Sequence, residues 1–253
     1  MIFIRALIIF LSILLVWHLI TVVTEAPPYI LPNPKLVIKA FISNSDLLFF
    51  HGLITLTEIL LGLTIGLFFG IISAIFLAYY QTARQWLMPI LVVSQAIPVF
   101  ALAPVLVLWL GYGMASKVAM ATLIIYFPVT AAFFDGLRRT NIGFLDLALT
   151  MNASQWSILR HIRIPSAIPA LASGFRVATA VAPIGAIVGE WVGSSEGLGY
   201  LMLHANGRMQ IDVMFAALFT LSFIAIALYY TVDAFLTRAV SWSPETHFNI
   251  KKD

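Results

Sequence analysis

The sequence predicts an all-α membrane protein with six transmembrane helices, and three observations lead to this fold class. The 253 residues are 61% hydrophobic and only 10% charged, whereas soluble domains are about 45–50% apolar and about 25% charged. Their mean hydropathy is +1.00. Long windows without a charged side chain recur along the chain, and a bilayer core takes about 20 apolar residues per helix. This composition excludes an ordinary soluble enzyme, a disordered chain and a nucleic-acid-binding protein.

The uncharged windows define six spans within one membrane domain, residues 1–253. We place the spans near residues 6–23, 53–80, 88–110, 118–134, 167–188 and 213–232. The first window does not have the pattern of a cleaved signal peptide, because its apolar stretch is too long and no small-residue cleavage site follows it.

Basic residues predict the orientation of these spans in the membrane. Six spans place both termini on one side. Nine basic residues fall on that side: Arg5, Arg84, Arg138, Arg139, Arg160, Arg163, Arg238, Lys251 and Lys252. Four fall on the other side: Lys35, Lys39, Lys117 and Arg208. Because Lys and Arg accumulate in cytoplasmic segments, we expect both termini to be cytoplasmic.

The segment 24–50 predicts a short helix on the outer membrane surface. Asn33 followed by Pro34 is typical of an N-cap and a first helical position. Apolar residues then recur at helical spacing, at Leu36, Val37, Ala40 and Phe41. An irregular loop is the alternative.

The segment 137–165 predicts two short amphipathic helices on the side of the termini. Its apolar residues recur at helical spacing in two groups, Leu145, Ala148 and Leu149, then Trp156, Leu159 and Ile162. Asn152 suits the left-handed end of the first helix, Ser154 suits the N-cap of the second, and Pro165 ends it. The hairpin either packs beneath the protein's own spans or docks onto a separate cytoplasmic protein, and we favour docking because exposed apolar faces mark partner sites.

This segment also resembles the cytoplasmic loop signature of binding-protein-dependent ABC importer permeases. That signature is Glu-Ala-Ala, three residues, Gly, and a later Pro. Asp146 falls on the Glu, Ala148 on the second Ala and Asn152 on the Gly, while Pro165 falls on the Pro. Leu147 replaces the first Ala, and Asn152 is a replacement that a left-handed position tolerates.

Other segments extend the resemblance over nearly the whole chain. Residues 31–34, 103–111 and 197–201 resemble the nitrate, taurine and aliphatic-sulfonate branch of these permeases. Residues 100–116 and 181–210 are most similar to the permeases for pyrimidine precursors of thiamine.

The resemblance implies a type I ABC importer permease fold, a place in a bacterial inner membrane and a definite set of partners. These are a cytoplasmic ATPase, a periplasmic solute-binding protein and a second copy of the permease. It implies no cofactor, because the partner ATPase uses the ATP, and no Gly-Lys pair of a phosphate-binding loop occurs in the chain. The residues implied to couple to the ATPase are Asp146, Ala148, Asn152, Ala153, Ser154, Trp156, Leu159 and Pro165.

Prolines within spans three to five indicate the translocation pathway, because the carbonyl groups that they free need neighbours or water. Simple packing kinks are an equally good interpretation. Arg176 lies well inside span five and suits an anionic solute, although snorkelling or pairing with a carboxylate is the more economical interpretation. The pathway candidates are Ser94, Gln95, Pro98, Pro104, Tyr126 and Arg176.

Two other functions remain as alternatives. A stand-alone secondary transporter needs ion-binding carboxylates deep in the membrane, and Glu58, Glu190 and Asp233 are instead expected at span ends. A hydrolase would use the Gly-x-Ser-x-Gly pattern at 193–197, but that motif needs a strand-to-helix turn. The five histidines do not have the spacing of metal ligands, and the chain has no cysteine. The sequence therefore predicts no metal site. The solute stays open among a thiamine precursor, a sulfonate, taurine and nitrate.

Overall fold

The computed structural model describes residues 2–94 and 96–242, which form eleven α-helices and no strand. A π-helical turn, Leu159–Arg163, joins the eighth helix to the ninth. The helices are α1 Ile2–Val23, α2 Pro34–Ser43, α3 Ser45–Tyr79, α4 Gln81–Ser94, α5 Val99–Leu110, α6 Met114–Arg138, α7 Ile142–Thr150, α8 Gln155–Ile158, α9 Ile164–Gly193, α10 Leu198–Gly207 and α11 Ile211–Ala239.

Four continuous helices of the described chain are long and apolar enough to cross a membrane. They are α3, α6, the rod Gln155–Gly193 and α11. They contain the predicted spans four, five and six, and span two except for its last residue, Tyr80. Helix α1 is a further apolar helix in the place of predicted span one. Pro128 and Pro183 lie inside α6 and α9 without breaking them.

The predicted third span is not one helix. Helix α4 ends at Ser94 and α5 begins at Val99, so the window 88–110 is either a broken span or a re-entrant pair. The cause is Pro98, which stands at the N-cap of α5, has no N–H to donate and disfavours helical geometry at the residue before it. Pro104 lies inside α5.

The centre of the protein is a three-helix packing of α3, α6 and α9 that depends on small residues. A Cβ added at Gly66 of α3 would lie 2.6 Å from Cγ2 of Ile125. A Cβ added at Gly185 of α9 would lie 2.6 Å from the backbone Cα of Ala121. Gly62 and Gly70 of α3 meet α6 in the same way. Close backbone approach of this kind is how helices associate in lipid, where no water is expelled.

This packing has two ends that differ in structure. At the loop end, Phe133, Phe134 and Leu137 of α6 form a core with Leu159 of the π turn. At the α10 end, Leu198 and Leu201 of α10 pack with Val37 of α2 and Ala216 of α11. Helices α6 and α9 connect the two ends.

The helix predicted after Asn33 is confirmed as α2. The side chain of Asn33 caps it by accepting a hydrogen bond from the Leu36 N–H at 2.9 Å, and Pro34 occupies its first turn. Val37 and Ala40 are buried, whereas Ile38 and Phe41 are exposed. The helix therefore has one face on the bundle and another free for the membrane.

Gly185→Ala should lower the stability of the folded chain by about 1–3 kcal/mol, because its methyl group meets backbone that cannot rotate away. Gly207→Ala is the matched control, since a Cβ there meets nothing within 4 Å. Thermal unfolding in detergent measures both, and equal melting temperatures for the two variants would contradict the packing described for α9.

Candidate functional site

The hairpin predicted within 137–165 is present, and local side chains fix its turn. Asn141 caps α7 by accepting from the Gly143 N–H at 2.9 Å. Asn152 is left-handed, with φ of 56°, and the Ala153 N–H donates to the Ala148 carbonyl at 3.0 Å, which is the Schellman ending of a helix. The Ser154 hydroxyl caps α8 by accepting from the Ser157 N–H at 3.2 Å.

The prediction that Pro165 ends the second helix is wrong. Helix α8 continues through the π turn into α9, and Gln155–Gly193 is one rod of 39 residues. The π turn is closed by the Ile164 N–H, which donates to the Leu159 carbonyl. We attribute the continuity to this wider turn, which gives the Pro165 ring room beside the preceding carbonyls.

Part of the predicted docking face is instead buried within the chain. Ala148 is 5% exposed and Leu159 is 2% exposed, because both side chains face the bundle. The Trp156 ring meets the Tyr79 ring edge-on, with centroids 5.8 Å apart. These three residues hold the hairpin against the loop end of the helix bundle.

The opposite side of the hairpin carries large apolar side chains that the chain leaves uncovered. Asp146 is exposed between them. We call this set the loop surface, and its members are Ile142, Phe144, Leu147, Leu149 and Met151, each more than half exposed.

The pathway candidates fall in several places rather than in one cavity. Ser94 donates to the Leu91 carbonyl of its own helix at 2.7 Å. Tyr126 donates to Ser73 Oγ at 2.9 Å and so joins α6 to α3. Pro98 and Pro104 lie at the start of α5 and inside it. Gln95 lies outside the described residues.

Arg176 is paired within the chain. Its Nε lies 2.5 Å from Oδ1 of Asp233, and its Nη2 donates to Thr237 Oγ1 at 3.2 Å. The pairing alternative is therefore the one observed, and the positive charge is largely compensated by α11.

The sequence analysis missed a buried polar cluster at the α10 end. Glu58 of α3 and Glu190 of α9 were expected at span ends, yet they are 0% and 1% exposed. Lys117 of α6, also buried, places its Nζ 3.4 Å from Oε1 of Glu58. The two glutamates are neighbours. We call Glu58, Lys117 and Glu190 together with His51 and Thr55 the outer polar cluster.

The outer polar cluster receives the first N–H groups of α10. The Thr55 hydroxyl donates to Oε1 of Glu190 at 2.6 Å and accepts from the Leu198 N–H at 2.8 Å. The Gly199 N–H donates to Oε2 of Glu190, and the Gly197 N–H donates to Nδ1 of His51 at 3.0 Å. Three side chains of the cluster thus satisfy the N–H groups that begin α10, and the Glu190 carboxylate meets the positive end of its dipole.

Glycine is required where this carboxylate lies. Gly197 has φ of 104°, and an added Cβ would overlap the Glu190 carboxylate. The pattern Gly-Leu-Gly at 197–199 is therefore the complement of Glu190. The sequence of α3 contained a signal for this cluster. His51, Thr55 and Glu58 recur at helical spacing on one face of an otherwise apolar helix.

The Gly-x-Ser-x-Gly pattern forms no nucleophile elbow. Ser194 lies in a short loop between α9 and α10, where its Oγ accepts from the Glu196 N–H at 3.0 Å, and the described residues contain no strand. Among the described residues, no group of three His, Cys, Asp or Glu side chains could hold a metal ion.

Residues 66–241 match the family model of the binding-protein-dependent transport system inner membrane component. A probable ABC transporter permease protein of Haemophilus influenzae is 55% identical over 91% of this chain and 94% of its own length. A formylaminopyrimidine transport permease protein of Halalkalibacterium halodurans is 38% identical over 86% of this chain and 87% of its own. A riboflavin transport system permease protein of Chloroflexus aurantiacus is 35% identical over 91% and 87%.

A solved structure shares the fold. It is the MetNI methionine ABC transporter in inward-facing conformations, with a TM-score of 0.64, 17% identity and coverage of 82% of this chain and 97% of that one.

Thr55→Val should destabilise the fold by about 2–3 kcal/mol, because it leaves a buried carboxylate oxygen and the Leu198 N–H without partners. Thr57→Val on the same helix is the control, since its exposed hydroxyl bonds only to the Leu53 carbonyl, and we expect a change within about 0.5 kcal/mol. Denaturant unfolding in micelles measures both. Equal effects of the two substitutions would show that the cluster does not hold α10.

Proposed function

The chain belongs to the family of binding-protein-dependent transport system inner membrane components, and on this basis we propose how it works as the permease of an ABC importer and which solute it carries. The protein is an integral membrane protein of the inner membrane. The proposal concerns its ATPase contact, its orientation, its assembly and its solute.

The loop surface is where the ATPase binds. Five large apolar side chains stand uncovered at the loop end, outside the apolar length of the spans, and an apolar patch of this kind fits a groove on a protein partner. The base of the hairpin is fixed by Ala148, Leu159 and Trp156. Such a base lets the hairpin transmit a push instead of folding away from it. This exposed surface on a fixed base is the observation that carries the proposal.

The remaining assembly follows from this contact. Both termini and the loop surface face the cytoplasm, in keeping with the nine basic residues on that side. ATP is bound by the partner, so this subunit has no catalytic site or cofactor of its own. Two copies enclose the pathway, and a solute-binding protein delivers solute at the α10 end.

The solute is a pyrimidine precursor of thiamine. Two relatives above one-third identity are named for formylaminopyrimidine and riboflavin, both flat nitrogen heterocycles. An open cleft of about 440 Å³ at the α10 end is lined by aromatic rings that suit such a ring, those of Trp191, Tyr200 and His204. Arg176, the side chain best suited to an anion such as a sulfonate, is already paired with Asp233.

Met151→Glu should abolish most ATPase binding, because it places a charge in an apolar contact. We expect about 30-fold weaker association, which corresponds to about 2 kcal/mol at a central interface residue. The measurement is co-purification and titration of the ATPase subunit on the full chain.

Met209→Glu is the matched control, since Met209 is 68% exposed at the α10 end and Met151 is 74% exposed at the loop end. Both variants should melt like the natural chain. If Met151→Glu binds the ATPase as well as Met209→Glu does, the docking surface lies elsewhere.

Proteoliposomes test the solute. Vesicles that hold the permease and its ATPase, supplied with ATP and the binding protein, should accumulate labelled formylaminopyrimidine. A hundredfold excess of taurine should leave this uptake unchanged. If the vesicles take up taurine and not formylaminopyrimidine, the proposed solute is wrong, although the proposal that the chain is an importer permease still holds.

A further inference from the structure

The outer polar cluster contains two acidic groups and one positive group. The carboxyls of Glu58 on α3 and Glu190 on α9 lie within hydrogen-bonding reach of each other. Lys117 on α6 faces them, with its Nζ 3.4 Å from Oε1 of Glu58. His51 adds no charge, because its Nδ1 accepts a hydrogen bond from the Gly197 N–H and an imidazole nitrogen that accepts carries no proton. If both glutamates were ionised, the cluster would have an excess of one negative charge.

This excess charge would be fully buried. Glu58 is 0% exposed and Glu190 is 1% exposed, and Lys117 is buried beside them. A buried charge without a counter-charge is costly, and a carboxyl in such a place takes up a proton and becomes neutral. One proton on the two glutamates would bring the net charge of the cluster to zero.

The neighbouring elements that contact this part of α3 do not offset the charge. Glu196, in the loop before α10, acts on His51 but is exposed and negative. Tyr200 of α10 meets the His51 ring with centroids 5.9 Å apart. Helix α11 approaches Gly52 through Thr220 and Ile224, which are uncharged. Lys117 is thus the positive group that these contacts bring to the two carboxyls.

The hydrogen bonds of the two carboxyls show which of them carries the proton. Glu190 accepts at both oxygens, from the Thr55 hydroxyl at 2.6 Å and from the Gly199 N–H, and bonds of this kind favour the ionised form. Both oxygens of Glu58 are buried and accept no hydrogen bond within the described residues. Two carboxylates that face each other are both acceptors, so they bond only if one is protonated. Glu58 is therefore the group that holds the proton and Glu190 the group that accepts from it.

Water has access to one side of this pair. Glu190 lines the open cleft of about 440 Å³ at the α10 end, together with Tyr200 and His204. The pair can therefore exchange its proton with the solvent in this cleft.

We propose that Glu58 and Glu190 form a buried binding site for one proton, which Glu58 carries and donates to Glu190. The proton cancels the excess charge beside Lys117 and adds a hydrogen bond between α3 and α9 where α10 begins. It stays bound at neutral pH. The site involves neither ATP nor solute, so it goes beyond the transport function.

Infrared spectroscopy of the full chain tests for the proton directly. At neutral pH the natural chain should show the C=O stretching band of a protonated carboxylic acid, and the band should shift in D₂O. Glu58→Gln should remove the band. Glu25→Gln is the matched control, since Glu25 is exposed, and it should leave the band unchanged. A natural chain without this band at neutral pH would show that both carboxyls are ionised, and the proposal would be wrong.

The pH dependence of unfolding tests the same proton by linkage. A glutamate of the unfolded chain has a pKa of about 4.3, so Glu58 takes up its proton on folding, and this stability is lost as the pH rises. Between about pH 5 and pH 7, the unfolding constant of the natural chain should rise about tenfold more per pH unit than that of Glu58→Gln. Denaturant unfolding in micelles measures both, with Glu25→Gln expected to follow the natural chain. Equal slopes for the natural chain and Glu58→Gln would overturn the site.

Two further measurements assign the site to Glu58 and to a proton. Glu58→Gln supplies an N–H donor to Glu190 and should melt like the natural chain at neutral pH. Glu190→Gln should melt lower at every pH, because an amide has a single acceptor oxygen for Thr55 and Gly199. If both variants melt alike, the assignment of the proton to Glu58 is wrong.

Replacing sodium by potassium at constant ionic strength should not change the unfolding of the natural chain. A sodium dependence that Glu58→Gln abolishes would show that a metal cation occupies the site in place of a proton. These measurements need no ATPase and no solute, so they succeed or fail independently of the transport proposal.

Discussion

Close contact between helix backbones is the constraint on which the rest of this structure depends. Inside a bilayer, burial against another helix expels no water, so association comes from dispersion contacts and buried polar bonds. Gly66 and Gly185 let α3 and α9 reach α6 at distances where a methyl group would not fit. The bundle therefore behaves as one packed unit, and it fixes the positions of both the loop end and the α10 end.

The outer polar cluster can be buried in this bundle because its charged side chains lie next to groups of opposite charge or hydrogen-bond donors. Buried charges are tolerated when they are paired and hydrogen-bonded. Glu190 receives bonds from Thr55 and the Gly199 N–H, while Glu58 lies beside Lys117. The Glu190 carboxyl thus holds α10 to the bundle, whereas the Glu58 carboxyl makes no hydrogen bond within the described residues and faces the Lys117 ammonium. Their burial explains the glycines at 197 and 199 and does not by itself indicate coupled ion transport.

Local chemistry made some features predictable, and long-range contacts decided the others. Asn33, Asn152 and Ser154 act within three to five residues of themselves, so their caps and turns could be inferred from the chain alone. The apolar spans followed from composition, apart from the break at Pro98. The burial of Glu190 depends on Thr55, which is 135 residues away in the chain, and that of Glu58 depends on Lys117 of another helix, and no local pattern specifies either contact. Leu159 was assigned to the docking face because helical spacing identifies an apolar face but not the surface that covers it.

The continuity of α8 with α9 gives the two ends of the molecule a mechanical relation. A rod of 39 residues is about 58 Å long, with the loop surface joined to its first turn and Glu190 close to its last. The middle of this rod is held against α6, because a Cβ added at Gly174 or Gly185 would meet α6 at 2.5–2.6 Å. In the importer proposed above, a displacement of the hairpin would therefore reach the α10 end as a rotation of the rod about its contact with α6. The hydrogen bonds between Glu190, Thr55 and the start of α10 are the first that such a rotation has to change.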